Sequence, residues 1–502
     1  MLPEIVDLEG DKMREECGVF GVFAPGSDVA RITYFGLYAQ QHRGQESAGI
    51  AVSDGQAIRG EKGMGLVSEV FQDAGRFTRL RGKLAVGHVR YSTSGSSLPV
   101  NAQPLVVRYR SGFLAVAHNG NLVNGYELRQ QLEQQGSIFQ STTDSEVIAH
   151  LIARSGEETP EAAVEKALLP LRGAYTFILM TANKLIGLRD PLGIRPLSLG
   201  SLDGGFVLAS ETCAFDTVGA EFIRDVEPGE MVVIDEFGLH SKRLVASNRQ
   251  ALCVFEFIYF ARPDSNMCGR NVHLVRKELG RRLAREHPVA ADIVTGVPDS
   301  SLSAASGVAE ELQLPYEMGF VKNRYVGRTF IQPTQEMRSL GVRLKLNPLR
   351  QIVEGKRVVM VDDSIVRGTT SLRIVEMLRK AGAREVHVLI SSPPVVSPCY
   401  YGIDTSANGE LVAARLDTLA IAKAIGADSL GYLSMEGMME SVGLTSGDCC
   451  AACFSGCYPV ELPRDLAGKY SLDDAGKGGR RLWEPRIKKL ASILPPATRL
   501  FA

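Results

Sequence analysis

Residues 358–370 have the sequence VVMVDDSIVRGTT, in which an apolar, β-branched run meets two adjacent acids and then a turn of glycine and hydroxyl residues. A helical pattern follows over residues 372–381. In an open α/β sheet, ligands bind beyond the carboxyl ends of the strands. The turn at 367–371 would direct backbone N–H groups at a phosphate, and Asp362 and Asp363 would hold sugar hydroxyls and magnesium. The segment therefore predicts a site for a phosphorylated ribose that carries a second charged group.

The sequence around this segment alternates strands and helices. Each apolar run is followed by a helical pattern, which predicts a βαβ series and a parallel, doubly wound sheet. The strand candidates are 293–297, 357–361 and 386–391, and the helix candidates are 272–286, 301–312 and 370–381. The second half of the chain is thus expected to be α/β.

The first half, to about Val245, is strand-rich and has frequent glycine turns. Helical patterns lie between some of the strands. Examples are the strand candidates 18–23, 84–89 and 113–118 and the helix candidates 122–135 and 143–153. This pattern predicts an α+β domain with sheets packed on each other, and a domain boundary near residues 247–252.

Composition limits the class of protein. A chain of 502 residues is too long for one core, so two or three domains are expected. The net charge of −1 gives no general attraction to nucleic acid or membranes. We find no apolar run of membrane-spanning length and no secretory or transit signal, so a cytoplasmic protein is expected. Nine cysteines in such a chain suggest metal or catalytic roles rather than a disulfide framework.

Cys17 lies between an acidic leader, residues 1–16, and an apolar strand. Removal of the leader would give Cys17 a free α-amino group, whose ordinary pKa is near 8. Such an amine can act as the general base for the side chain of its own residue. Cys17 is therefore a candidate N-terminal nucleophile, although a cysteine beside a strand is by itself more often a buried apolar residue.

Four further polar features support this hypothesis. Arg90 ends a strand, where it could clamp a carboxylate, and Asp144 could pair with an ammonium. Asn119 and Gly120 place a side-chain amide beside a backbone N–H, as an oxyanion hole requires. Together with the nucleophile, these groups are the parts needed to hydrolyse the side-chain amide of glutamine through a γ-glutamyl thioester.

In this order, the segments resemble the class II, N-terminal-nucleophile glutamine amidotransferases, whose domain has αββα layers. The resemblance covers about residues 17–245 and implies that Cys17 is the nucleophile and that Asn119 and Gly120 form the oxyanion hole. It also implies a set of glutamine-binding residues, which comprises Arg43, Arg90, Thr93 and Asp144.

The second half resembles the type I phosphoribosyltransferases. The resemblance implies that Asp362 and Asp363 bind the ribose and magnesium, with Ser300 of a pyrophosphate loop near the metal. It implies that the turn after the acids holds the 5′-phosphate, through Ser364, Arg367, Gly368, Thr369 and Thr370. The basic, glycine-hinged segment 322–330 would close over the substrate and exclude water, with Lys322, Tyr325 and Arg328 as contacts.

Joined in this order, the halves resemble the amidophosphoribosyltransferase family over about residues 17–463. The implied reaction converts glutamine, phosphoribosyl pyrophosphate and water into phosphoribosylamine, glutamate and pyrophosphate, the first committed step of purine synthesis. The implied division is a propeptide at 1–16, an amidotransferase domain at 17–246, a phosphoribosyltransferase domain at 247–461 and a basic tail at 462–502. A homotetramer and feedback inhibition by purine nucleotides are also implied.

The late cysteines include a C-x-x-C motif, which alone suits zinc, redox chemistry or chance. One branch of the family carries an acidic propeptide and a [4Fe–4S] cluster. The resemblance to that branch implies cluster ligation by Cys253, Cys399, Cys450 and Cys453, although four cysteines also suit zinc. The cluster would have a structural role, because the reaction needs no electron donor or acceptor.

Two other functions remain open from the sequence. One is a class II amidotransferase with a different phosphoribosyl or sugar-phosphate acceptor. The other is a regulator that senses phosphoribosyl pyrophosphate through a retained binding fold, since fold alone does not fix function. The second predicts loss of the nucleophile or oxyanion residues, whereas Cys17, Asn119 and Gly120 are all present.

Overall fold

The computed structural model describes residues 17–92, 95–245, 249–323, 346–404, 411–445, 447–463 and 472. The predicted propeptide, Thr93, Tyr325, Arg328 and most of the basic tail therefore lie outside the described residues. Among the helices that are described, none has the length and apolar character needed to cross a membrane.

The first half contains two antiparallel sheets. A seven-stranded sheet has the order β11-β9-β10-β1-β4-β2-β3, and a six-stranded sheet has the order β13-β12-β8-β7-β6-β5. The strands are β1 Gly18–Phe23, β2 Ser47–Ser53, β3 Ile58–Met64, β4 Leu84–Arg90, β5 Leu105–Tyr109, β6 Gly112–Leu122, β7 Gly173–Met180, β8 Leu185–Arg189, β9 Ser198–Leu202, β10 Gly205–Ala209, β11 Glu221–Asp225, β12 Glu230–Asp235 and β13 Gly238–Arg243.

The two sheets pack face to face, with Val19, Val86, Ala117 and Ile178 in the core between them. Helices cover the outer faces, α1 on the seven-stranded sheet and α5 on the six-stranded sheet. The helices are α1 Val29–Ala39, α2 Val67–Val70, α3 Gly75–Arg79, α4 Gly125–Gln134, α5 Ser145–Arg154, α6 Pro160–Leu168 and α7 Cys213–Val218. The expected αββα arrangement is therefore confirmed.

The second half is built on a parallel sheet of order β17-β20-β21-β22. Its strands are near-continuous apolar runs because helices bury the sheet. The strands are β14 Leu252–Cys253, β15 Asn266–Met267, β16 Arg270–Asn271, β17 Ile293–Gly296, β18 Phe320–Lys322, β19 Leu346–Pro348, β20 Arg357–Asp362, β21 Glu385–Ile390, β22 Ser429–Tyr432 and β23 Cys449–Cys450. The α/β expectation is confirmed.

The helices of the second half include a five-residue π-helix, Glu256–Phe260, that follows β14. The α-helices are α8 Val272–Glu286, α9 Leu302–Leu312, α10 Arg350–Val353, α11 Thr369–Lys380, α12 Thr418–Ile425, α13 Met435–Val442 and α14 Ala452–Ser455. Short 3₁₀ turns occupy Gln41–Arg43, Pro99–Asn101 and Val412–Ala414.

The main departure from the predicted elements is at the end of β6. The helix predicted from Leu122 begins only at Gly125, because β6 stays paired with β7 until Leu122 lies opposite Gly173. Apolar periodicity in the sequence does not show whether residues 122–124 form a first helical turn or the end of a strand. The pairing of β6 with β7 shows that Leu122 belongs to the strand. The extension matters for the site, since it holds residues 119 and 120 in the sheet.

Candidate functional site

Cys17 lies at the start of β1, at the edge of a small polar cavity. The lining comprises Cys17, Arg90, Tyr91, Gln103, His118, Gly120, Thr143, Asp144 and Ser145. Cys17 is 6% exposed, and its Sγ lies 3.3 Å from the carbonyl oxygen of Tyr91. Burial raises the pKa of the Cys17 thiol to about 11 in the chain that still carries residues 1–16.

Strand β6 carries both predicted oxyanion residues, of which Gly120 lines this cavity and Asn119 does not. Gly120 has a φ of +137°, and a Cβ there would lie 2.1 Å from the carbonyl oxygen of Ala174, so only glycine fits. Asn119 is fully buried, and its Nδ2 lies 3.4 Å from Ser210 Oγ. Its Oδ1 finds no hydrogen-bond partner in the described part of the chain. Ser210 in turn accepts a bond from the Val19 amide, two residues beyond the nucleophile.

Arg90 and Asp144 line the cavity and are held by their own partners. Arg90 ends β4, and its Nη1 lies 3.3 Å from Glu46 Oε2. Asp144 precedes α5, and its Oδ2 accepts a 2.8 Å bond from the Leu122 amide. The cavity thus carries a cation and a carboxylate, which is the charge pattern that an amino acid requires.

Arg43 lies behind the nucleophile, and it is not among the residues that line the cavity. Its Nε donates a 3.2 Å bond to the Cys17 carbonyl oxygen. Its guanidinium is fully buried and pairs with Glu211 and Glu256 at 2.5 and 2.7 Å. These carboxylates hold the pKa of Arg43 above its usual value against the opposing effect of burial.

The sequence did not single out several polar residues that the structure places at the cavity. Gln103 Nε2 lies 3.0 Å from Ser145 Oγ, and His118 Nδ1 also lies 3.0 Å from that oxygen. Burial lowers the pKa of His118, so the imidazole is neutral at pH 7. The one available signal was that these residues stand inside apolar strands or next to recognised motifs.

A second polar site lies beyond the carboxyl ends of β17 and β20, as the sequence predicts. Ser300 Oγ donates to Asp363 Oδ2 at 2.5 Å, and Ser301 Oγ donates to Asp362 Oδ1 at 2.9 Å. Both aspartates are 1% exposed. Lys322 Nζ reaches Asp299 Oδ2 at 2.8 Å from the next loop. The structure therefore brings together the two acids, the serine loop and one residue of the predicted closing segment.

The turn after the acids starts helix α11 with Gly368, whose φ is +83°. Within the described part of the chain no side chain caps this helix, and the N–H groups at the start of a helix favour the binding of an anion. Thr369 Oγ1 is buried and has no partner within the described residues. Ser364 Oγ binds Asp363, Thr370 is buried beside the turn, and Arg367 is exposed.

Four of the cysteines converge where β14 pairs with β23. Cys253 lies directly opposite Cys450 in that parallel pair. Burial raises the pKa of Cys453, and Cys253, Cys399 and Cys450 raise it further, so the four thiols lie close enough to influence one another. Cys449 lies near Cys268 instead, and Cys457 is exposed.

No three or more His, Cys, Asp or Glu residues among those described are arranged to hold a single metal ion. The four thiols that lie together are the ones that the family resemblance implies as cluster ligands.

The comparisons with known proteins agree with this geometry. Residues 88–217 match the glutamine amidotransferase domain family, and residues 276–392 match the phosphoribosyl transferase domain family. The amidophosphoribosyltransferase of Bacillus subtilis (strain 168) is 54% identical over 470 residues, which span 93% of this chain and 97% of the relative. That of Synechocystis sp. is 54% identical over 460 residues, 90% of this chain and 92% of the relative.

Solved structures give the same result. A structure described as glutamine phosphoribosylpyrophosphate amidotransferase from B. subtilis, complexed with ADP and GMP, aligns with a TM-score of 0.86 and 54% identity over 90% of this chain and 100% of that one. Another structure, described as the allosteric regulatory enzyme of purine biosynthesis, aligns with a TM-score of 0.87 and 54% identity. The alignment covers 91% of this chain and 99% of that one. The chain therefore belongs to the amidophosphoribosyltransferase family.

Proposed function

We propose that this protein makes phosphoribosylamine, glutamate and pyrophosphate from glutamine, phosphoribosyl pyrophosphate and water, the first committed step of purine synthesis. The observation that carries the proposal is that one chain holds both required sites. A buried cysteine faces a cavity lined by Arg90 and Asp144, and the paired acids of β20 face a serine loop and an uncapped helix. Neither site alone would distinguish this reaction from simple amide hydrolysis or another phosphoribosyl transfer.

In the first site, Cys17 attacks the side-chain amide of glutamine. Arg90 holds the α-carboxylate of glutamine and Asp144 its α-ammonium, while the Gly120 N–H and Asn119 Nδ2 stabilise the oxyanion. Ammonia leaves, a thioester forms on Cys17, and water then releases glutamate. Thr93 is proposed as a pocket residue. Arg43 is proposed to contribute through the Cys17 backbone, where its Nε is bound.

Removal of residues 1–16 is the step that would activate this nucleophile. In the longer chain, burial raises the pKa of the Cys17 thiol to about 11, so very little thiolate exists at pH 7. A free α-amino group on Cys17 would accept the thiol proton within the same residue. We therefore propose that residues 1–16 are a propeptide and that the mature enzyme begins at Cys17.

In the second site, ammonia attacks C1 of the ribose and pyrophosphate leaves. Asp362 and Asp363 bind the ribose hydroxyls, and the 364–370 turn binds the 5′-phosphate through N–H groups and the Thr369 hydroxyl. Lys322, Tyr325 and Arg328 are proposed to close over the substrate. Sheltered transfer between the sites would keep ammonia from protonation and loss to solvent.

The acids and serine of this site suit Mg²⁺. Magnesium in phosphoryl sites is usually held by one or two carboxylates together with substrate phosphates, so a complete protein cage is not required. Asp362, Asp363 and Ser300 would provide that partial set. When bound, the ion would offset the charge of the leaving pyrophosphate.

The four converging cysteines suit a [4Fe–4S] cluster. They are free thiols that lie together and are mostly buried, and burial raises the pKa of Cys450 to about 12. Coordination would keep the four sulfurs as thiolates in spite of their burial, because a metal centre stabilises the thiolate form. Cys253, Cys399, Cys450 and Cys453 would then tie β23 and α14 to the start of the second domain.

Four further aspects are proposed with the activity. Purine nucleotides would act as feedback inhibitors, since the B. subtilis relative is described in complex with ADP and GMP. A homotetramer is proposed from the family resemblance. A cytoplasmic location suits a chain whose described cysteines are all free thiols. The domain division at residues 246 and 247 is also a proposal.

The decisive experiment is to measure glutamate release by the mature protein with magnesium, with and without phosphoribosyl pyrophosphate. The proposal predicts strong stimulation by that compound and one pyrophosphate released per glutamate. Glutamate release that phosphoribosyl pyrophosphate does not stimulate would instead indicate a working glutaminase with a different ammonia acceptor. No glutamate release at all, with phosphoribosyl pyrophosphate still bound, would favour a sensor.

A further inference from the structure

A buried group of four charged side chains joins the two halves of the chain. We define this bridging cluster as Arg43, Arg195, Glu211 and Glu256, all of whose side chains are 0% exposed. Arg43 and Arg195 come from the first half, and Glu256 begins the π-helix of the second. Burying charges is expensive, and such groups are weak contributors to stability compared with apolar packing. A role beyond stability is therefore worth seeking in what the cluster connects.

On one side, the cluster reaches the nucleophile. Arg43 uses Nη1 and Nη2 to bind both oxygens of Glu256, at 3.0 and 2.7 Å. The third nitrogen, Nε, holds the Cys17 carbonyl oxygen at 3.2 Å. Because a guanidinium is planar and rigid, a shift of the Glu256 carboxylate tilts the whole group. The backbone of Cys17 would follow such a tilt.

On the other side, Arg276 of α8 binds the segment that carries Glu256. Arg276 Nε donates to the Phe257 carbonyl oxygen at 2.7 Å, and Nη2 donates to the Ala261 carbonyl oxygen at 2.8 Å. Arg276 is 2% exposed and thus holds both ends of the π-helix turn from within the core. π-Helical turns are rare and are frequently found at functional sites.

Helix α8 is in close backbone contact with α9. A Cβ at Gly280 would lie 1.9 Å from the Ala304 carbonyl oxygen, and a Cβ at Gly307 would lie 1.9 Å from the Lys277 carbonyl oxygen. Such contacts make the two helices move together. Helix α9 begins directly after Ser301, whose Oγ binds Asp362.

A continuous set of contacts therefore runs from the acids of the phosphoribosyl site to Cys17. It passes through Ser301 and α9 to α8, through Arg276 to the π-helix, and through Glu256 and Arg43 to the nucleophile. Burial lowers the pKa of Arg276 to about 10, with the charges of Asp363 and Glu211 opposing this effect, which is consistent with Arg276 lying between the two sites.

We propose that Glu256 is a positioning residue that couples occupancy of the Asp362–Asp363 site to the reactivity of Cys17 through Arg43. This inference rests on the proposed function and names the residue through which its two sites communicate. Filling the phosphoribosyl site would shift the loop at Ser301, and the contacts described would transmit that shift to the Glu256 carboxylate. The test therefore measures the coupling between the two sites directly.

The test uses mature Glu256→Gln protein. Glutamine keeps the shape and one acceptor of the carboxylate but removes the charge that orients Arg43. We expect the stimulation of glutaminase kcat/KM by phosphoribosyl pyrophosphate to fall by about fivefold or more, the lower end of typical coupling between sites. The ammonia-dependent reaction and its KM for phosphoribosyl pyrophosphate should stay unchanged, because the acids of that site are intact.

Thr212→Val is the matched control. Thr212 Oγ1 accepts a 2.8 Å bond from the Asn266 amide across the same boundary, and Thr212 is not a member of the bridging cluster. The Thr212→Val protein should retain full stimulation of its glutaminase activity by phosphoribosyl pyrophosphate. If Glu256→Gln does not fold, Glu256→Asp, which keeps the charge but withdraws it by one methylene, is measured by the same criteria.

The outcomes separate this inference from the proposed function. Full stimulation of glutaminase activity by phosphoribosyl pyrophosphate in a folded Glu256 variant would overturn the inference alone. An equal loss of the glutaminase and ammonia-dependent reactions would also overturn it, because it would indicate general damage to the protein. Loss of stimulation in Thr212→Val as well would also overturn it. No stimulation in the wild-type protein would overturn the proposed function, and the inference with it.

Discussion

Arg43 Nη2 lies 2.7 Å from Glu256 Oε1, and neither side chain is exposed to solvent. The two residues are 213 positions apart in the sequence. Their contact joins the first antiparallel domain to the π-helix that opens the second. Because Arg43 also binds the carbonyl oxygen of Cys17, the same ion pair links the two halves of the chain to each other and to the nucleophile.

Glu256→Ala should strongly destabilise the protein. The variant would leave two buried arginines, Arg43 and Arg195, with Glu211 as the one remaining acid of the bridging cluster, and an uncompensated buried charge typically costs about 3–5 kcal/mol. Urea unfolding of the variant and the wild-type protein would measure this cost. Glu354→Ala is the control, since Glu354 pairs with Arg350 on the surface and solvent screens that pair. Equal stability of the two variants would contradict the importance of burial at Glu256.

The sequence predicts β17, β20 and β21 of the second domain well because each of these strands is an apolar run next to a periodic helix. The helix predicted at 272–286 is α8 residue for residue, and β20 ends one residue later than expected. Cys17, Arg90, Gly120 and Asp144 were also predicted, since short motifs carry them, and they meet at one cavity.

The sequence could not predict the partners of these residues. Arg43 was expected to line the glutamine pocket, but pattern alone does not reveal that Glu211 and Glu256 surround it. Both acids are distant in sequence, and their pairing depends on how the domains pack. Glu256 did give one signal, because an acid within the apolar segment 251–260 must find a buried partner.

Cys17→Ala should abolish glutamine-dependent synthesis of phosphoribosylamine and spare the ammonia-dependent reaction. The thiol is required only where glutamine is hydrolysed, whereas the acids of β20 lie in the other domain. Parallel assays with glutamine and with ammonium chloride would measure both reactions. Cys213→Ala, which removes a buried thiol that does not line the cavity, serves as the control. Loss of both activities in Cys17→Ala would argue against two separate sites.

A chain that retains residues 1–16 should have no glutaminase activity. The Cys17 nitrogen is then an amide and cannot act as a base, and burial holds the thiol pKa at about 11. An uncleavable precursor, compared with mature protein at equal concentration, would test this expectation. The precursor should keep its ammonia-dependent activity. A fully active precursor would refute the role of the α-amino group.

Anaerobically purified protein should contain about four irons per chain, since a [4Fe–4S] cluster takes four thiolate ligands. Cys453→Ser should reduce the iron content and the visible absorbance, because Cys453 lies among the three other proposed ligands. Cys457→Ser is a matched control, since Cys457 is exposed and only a few residues away. Stoichiometric zinc without iron would exclude the cluster. Loss of iron in Cys457→Ser would show that the proposed set of four ligands is wrong.

His88 should make the protein less stable as the pH falls below about 6.5. It lies on β4, is fully buried, and its Nε2 donates a 2.9 Å bond to the His118 carbonyl oxygen. Burial lowers the pKa of His88 to about 3. The folded state therefore binds a proton less readily than the unfolded state, whose histidine has a pKa near 6.5. The stabilisation is complete above pH 6.5 and is lost as the pH falls toward 3.

His88→Gln should weaken this pH dependence, because glutamine can donate a similar bond but does not titrate. One proton taken up only on unfolding changes the free energy of unfolding by about 1.4 kcal/mol per pH unit. Between pH 7.5 and 5.5, the wild-type protein should therefore lose about 1.4 kcal/mol more than the variant. Urea unfolding of both proteins at these two pH values measures the difference. His118 is buried in both proteins, so its titration contributes equally to both and cancels in the comparison. If the stability of the two proteins had the same pH dependence, His88 would already be charged in the folded state.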